Sequence, residues 1–177
     1  MPSGMPWPGP QAGIVSCTLS ETKPGPQYRP RDGDAGLLPS GTKLYAVYGY
    51  PASFRLAAYV EGRGFLLYEV HNAPQARRGG DLLPLRGKVR QIDILDLETG
   101  SRVVGKVTDP ARIAQVVDGI DKAPLAARQA GGRMLFLRFV LSDGMADTRR
   151  WTWYVDASRL EGIVLPAGVN AILRAAS

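Results

Sequence analysis

Thr108-Asp109-Pro110-Ala111-Arg112-Ile113-Ala114-Gln115-Val116-Val117-Asp118-Gly119-Ile120-Asp121-Lys122-Ala123-Pro124 is the stretch that decides the fold class. Thr108 and Asp109 offer capping oxygens, and Pro110 follows in the first helical turn, where its missing N–H costs nothing. Ile113, Val116, Val117 and Ile120 recur at i, i+3, i+4 and i+7 and form one apolar stripe, while Arg112, Gln115, Asp118 and Asp121 point to a solvated side. Pro124 stops the run, so the spacing predicts a helix over 109–123. A helix apolar on one side needs a layer to cover. Gly119 costs the helix interior about 1 kcal/mol relative to alanine, which points to close packing on that layer.

The layer is legible on both sides of the helix. Upstream, 89–97 and 102–107 flank Glu98-Thr99-Gly100-Ser101; downstream, 134–141 and 149–155 flank Ser142-Asp143-Gly144. Both read as hairpins with glycine where a left-handed residue is needed. Another hairpin is predicted where 54–60 and 65–70 flank Glu61-Gly62-Arg63-Gly64, and 43–50 reads as a strand ended by Pro51. Residues 71–87 hold Pro74, Gly79, Gly80, Pro84 and Gly87, and read as a loop. Pro166 opens a short terminal helix on which Val169, Ile172, Leu173 and Ala176 repeat the helical spacing. The expected class is α+β: one antiparallel sheet of about 6–7 strands built from three hairpins, with both helices on one face. The alternative is a closed β-barrel with flanking helices.

Composition sets the outer limits. The 177 residues carry 22 Lys and Arg against 16 Asp and Glu, with one Cys and one His. A lone Cys17 excludes an intrachain disulfide, and with only His71 beside it the common Cys/His zinc sites are excluded as well. No apolar run is long enough to span a bilayer. Residues 1–40 contain eight Pro and six Gly without helical or strand periodicity, and their charges cancel. They read as a disordered tether, with Trp7 as the one residue that asks for a surface to dock on; 41–177 reads as a single globular domain.

Candidate chemistry is sparse. Glu69 and His71, two apart at a strand end, share a face, where a carboxylate orients an imidazole; Asn72 follows. A surface histidine is the simpler reading, and no catalytic residue, metal ligand or cofactor is assigned. Asp93 and Asp96 fall on opposite faces of a strand, and Asp143-Gly144 is a turn signature. Arg77, Arg78, Arg86, Lys88 and Arg90, against Asp81 alone, put a net +4 within fourteen residues. With Arg149 and Arg150 they form the expected ligand or partner surface. Sheet-borne aromatics beside arginine hold single-stranded nucleic acid in many proteins, but Trp151 and Trp153 share a face with Val155 and read more simply as core.

Ile14-Val15-Ser16-Cys17 has the residue types of a bacterial lipobox, with Cys17 as the position of lipidation, although residues 1–16 lack the basic and apolar regions of an export signal. Thr108-Asp109-Pro110-Ala111-Arg112-Ile113, Leu141-Ser142-Asp143-Gly144 and Gly162-Ile163-Val164-Leu165-Pro166 resemble the turn and cap signals of a loose group of bacterial extracytoplasmic and lipoprotein domains. The likeness spans about 43–175. It implies a location and a class and carries over no catalytic residue.

The expectation is therefore a non-enzymatic binding domain tethered outside the cytoplasmic membrane, with an envelope component or an acidic ligand as partner. A basic nucleic-acid-associated protein in the cytoplasm is the second reading, and an enzyme with a Glu69/His71 centre the third.

Overall fold

In the computed structural model, which describes residues 8–22, 24–70, 73–127, 131–145 and 147–177, the chain is mixed α+β with antiparallel sheets and four helices. No barrel closes among the described residues. The three predicted hairpins do not share one sheet. They are divided between two units, Met1–Val70 and His71–Ser177, so the chain divides well beyond the boundary expected near Gly41.

The first unit is built on a four-stranded sheet. Its strands are β1 (Gln11–Ile14), β4 (Lys43–Ala46), β5 (Arg55–Val60) and β6 (Gly64–Glu69), in that order across the sheet and antiparallel throughout. The β5–β6 hairpin has the predicted turn: Gly62 and Gly64 take φ of 74° and 75°, the left-handed region where a side chain is strained. That turn sets Val60 opposite Gly64 and Leu56 opposite Tyr68. The strand predicted over 43–50 stops at Ala46, and the chain turns as the Tyr50 N–H donates to the Val47 carbonyl at 3.0 Å.

Three further elements lie within the stretch read as a tether. β2 (Cys17–Thr18) and β3 (Asp34–Ala35) pair in parallel, with α1 (Leu19–Thr22) following β2. Val15 and Leu38 are buried with Ala58 of the sheet in a small apolar core, against which Leu44 and Val60 pack. Proline and glycine abundance hid this, because strands this short leave no period to read. Trp7 lies outside the described residues.

The second unit carries a six-stranded antiparallel sheet. Its order is β12 (Ile163–Val164), β11 (Arg159–Leu160), β10 (Trp151–Tyr154), β9 (Met134–Leu141), β7 (Val89–Leu95) and β8 (Val103–Val107). The predicted hairpins account for the last four; β11 and β12 have two residues each and were not foreseen. The 109–123 helix is α3 (Pro110–Lys122), with the Asp109 carboxylate accepting from the Arg112 N–H at 2.8 Å and the predicted stripe buried. The terminal helix is α4 (Ala167–Ala175). Ala176 lies over Gly105, Asn170 bonds to Trp153, and cross-strand register places Gly105 and Trp153 on one face, so α4 covers that face.

Three expectations in this unit change. Gly119 packs against Val169 of α4, where a Cβ would collide with the valine methyl, rather than against the sheet. Asp121 is buried, packed closely against Gly80, so it does not lie on a solvated side, while Asp118 stays half-exposed beside Arg86. The 71–87 loop contains a helical turn, α2 (Gly79–Leu82). It forms because the Asp81 carboxylate accepts the Arg77 and Arg78 N–H groups at 2.8 and 3.1 Å, and because Gly79, without a side chain, passes close to the Ile120 carbonyl. Asp93 is buried as well, held by Arg138 at 2.6 Å and by Gln91 at 2.6 Å.

Candidate functional site

The first unit carries a half-open pocket of about 590 Å³ against one face of its sheet. Alternation along the strands puts Leu44, Leu56 and Tyr68 on that face, with Leu56 directly opposite Tyr68. The opposite wall is the 31–38 segment, which contributes Ala35 and Leu38, and Val15 closes one end. The lining is mainly aliphatic. Arg31, Asp32 and Asp34 supply its charged groups.

The 31–38 wall is tied down by residues 16–20. The Ser16 N–H donates to the Gly33 carbonyl at 2.7 Å, the Ser20 N–H to the Gly36 carbonyl at 3.1 Å, and the Thr18 hydroxyl to the Leu38 carbonyl at 2.9 Å. Gly33 has φ of 93°, and a Cβ there would sit 2.6 Å from the Ser16 hydroxyl. Only glycine makes this approach. The Asp34 carboxylate accepts the Tyr28 hydroxyl at 2.6 Å and the Arg31 N–H at 2.6 Å. Those two hydrogen bonds, the tyrosine's first, hold Asp34 below the usual carboxylate range, and the same bond raises the Tyr28 phenol. The Arg31 guanidinium and the Asp32 carboxylate are exposed and make no hydrogen bond or ion pair among the described residues. The cavity is thus preformed, apolar within and charged at its margin, the usual form of a small-molecule site.

The basic residues singled out from the sequence are largely engaged within their own unit. Arg86 bonds Asp118 at 2.8 Å and lies 3.7 Å from Asp121; Lys88 lies 4.0 Å from Asp143; Arg78 lies 3.6 Å from Asp81. Arg77 reaches the Pro74 and Ala76 carbonyls, and Arg90 the Leu141 carbonyl. The +4 read between 77 and 90 counted one acid because only Asp81 is near in sequence; the fold brings Asp118, Asp121 and Asp143 to the same segment. Arg86 is raised above its ordinary value, first by the Asp118 hydrogen bond.

Arg149 forms a two-pronged pair with the buried Glu161, at 2.7 and 2.9 Å, and lies 3.8 Å over the Trp151 ring. Arg150 donates to the Gly100 carbonyl at 3.0 Å. Trp151 and Trp153 are 1% and 0% exposed. They are core, and no base can stack on them. The structure places Arg149 and Arg150 on this hairpin as supports for buried aromatics and a turn.

Glu69 pairs with the buried Arg55 at 3.0 Å, and Arg55 lies over the Tyr50 and Phe54 rings. His71 and Asn72 lie outside the described residues. Cys17 is half-buried in β2 opposite Asp34, with its sulfur 3.6 Å from the Thr22 hydroxyl. Processing ahead of Cys17 would remove β1 from its pairing with β4 and Val15 from the core, and this weighs against the lipobox reading.

The cavity residues of the 1–40 stretch were missed. Ile14-Val15 and Leu37-Leu38 are apolar pairs in a proline-rich setting, and Asp32-Gly33-Asp34 is a turn signal between them; together they were the available sign. No helix among the described residues is long and apolar enough to cross a membrane, and no group of metal-binding side chains is found among them. No protein-family model, no curated protein and no solved structure matches the chain.

Proposed function

We propose that this chain is a non-enzymatic binding domain whose ligand site is the aliphatic cavity of the first unit. One observation carries the reading: a half-open pocket of about 590 Å³ whose lining includes Val15, Ala35, Leu37, Leu38, Leu44 and Leu56, and whose 31–38 wall is fixed by hydrogen bonds from Ser16, Thr18 and Ser20. Pockets of this size and lining enclose most of a small ligand's surface. Action outside the cytoplasmic membrane belongs to the same proposal and rests on the resemblance alone; it requires no acyl anchor at Cys17, and finding the full chain only in the cytosol of its native cell would remove it. The binding reading is tested with an environment-sensitive apolar dye. Saturable binding to the full chain, lost on Leu56→Trp, supports it, and dye binding equal in both proteins refutes it.

A further inference from the structure

Resting on that reading, we infer that the ligand is an amphiphile with an aliphatic chain and a zwitterionic head, of the phosphate-plus-amine kind found in phospholipids. Both halves of the ligand are written in the lining. The lining is mainly aliphatic, with Tyr68 in addition to the charged residues at the margin. The margin offers both signs of charge: Arg31 on one hand, Asp32 and Asp34 on the other. A purely anionic head would meet two carboxylates, and a purely cationic one would meet Arg31.

The three charges differ in their availability. Asp34 already accepts two hydrogen bonds, from Tyr28 and from the Arg31 N–H, and its role is to hold the wall. The Arg31 and Asp32 side chains form no hydrogen bond or ion pair among the described residues, Arg31 acting on Asp34 only through its charge. A planar guanidinium suits a phosphate, through paired N–H donors, and an adjacent carboxylate suits an ammonium. Leu37, on the same wall, is 85% exposed, the most exposed large apolar side chain described. An exposed leucine at the margin of an aliphatic cavity extends the apolar path outward, toward where the chain joins its head.

The test uses monomeric dodecylphosphocholine, dodecyl sulfate and dodecyltrimethylammonium, which share a chain and differ in head charge, each displacing the apolar dye from the full-length protein. The expected result is displacement by the zwitterion at concentrations about tenfold below either singly charged probe, a preference that shrinks by about that factor in Arg31→Gln and in Asp32→Asn. Equal displacement by all three probes, with Leu56→Trp still abolishing dye binding, overturns the head-group inference and leaves the cavity reading standing. Dye binding that Leu56→Trp does not disturb overturns both. Sedimentation with phosphatidylcholine vesicles separates two sources of the same head: capture lost in Leu56→Trp and weakened in Arg31→Gln assigns the lipid to a bilayer, and no capture beside intact zwitterion preference assigns it to a free single-chain lipid. Capture unaffected by either substitution is surface adsorption and counts against the inference.

Discussion

Tyr28 and Asp34 set the behaviour of the cavity wall at the level of single groups. Asp34 is held below its ordinary value of 3.8 by the Tyr28 hydroxyl and then by the Arg31 N–H. A carboxylate with a depressed folded-state value adds stability that is complete above the unfolded value and is lost as pH falls through the folded one. The stability difference between the natural chain and Asp34→Asn should therefore be complete at neutral pH and shrink as pH falls below the unfolded value and through the folded one, followed by urea unfolding across that range. A difference that grew toward acid would contradict the assignment. None of this was visible in the sequence, where Asp32 and Asp34 fall in a stretch read as a disordered tether. The tryptophans show the opposite case: their alternation with Arg150, Thr152 and Tyr154 read as core and is core. The polar partner of Trp153 came from afar, since its ring N–H donates to Asn170 at 2.9 Å, and no local rule links residues seventeen apart.

At the level of elements, local signals worked where an element is long and its turn is short. The cap, the proline and the apolar stripe placed α3 within a residue at each end, because all three lie inside one helix. Hairpins with glycine turns were legible for the same reason. Which hairpins pair with one another was not, since register within a hairpin says nothing about the sheet it joins. The interface between α3 and α4 gives a direct test. Gly119→Ala should destabilise the second unit by about 1 kcal/mol despite alanine's better helix propensity, since the new methyl group meets Val169. In a Val169→Ala background the same change should be neutral or stabilising. Equal effects in both backgrounds, measured by urea unfolding, would mean that the crowding lies elsewhere.

For the whole molecule, the main change is the role of the first forty residues. A proline-rich stretch taken as a tether supplies β1, β2, β3 and one wall of the cavity. Deleting residues 1–16 should therefore raise amide exchange in β4 and β5, since β4 loses its partner β1 and burial of a side chain such as Val15 contributes about 1.5–3 kcal/mol. Unchanged exchange would return the stretch to a tether. The basic excess changes meaning too. The second unit holds sixteen Lys and Arg against eleven Asp and Glu, yet the cluster expected to face a partner is spent largely on its own unit's acids and carbonyls. Function is thus sought in the less charged first unit. The most direct measurement is an amide correlation spectrum of the full-length, isotope-labelled chain during titration with monomeric dodecylphosphocholine. Saturable shifts at residues 31–38 and at Leu44, Leu56 and Tyr68 are predicted, with the 77–90 segment and Arg149 unmoved; shifts centred on those basic residues, or none that saturate, would contradict the account.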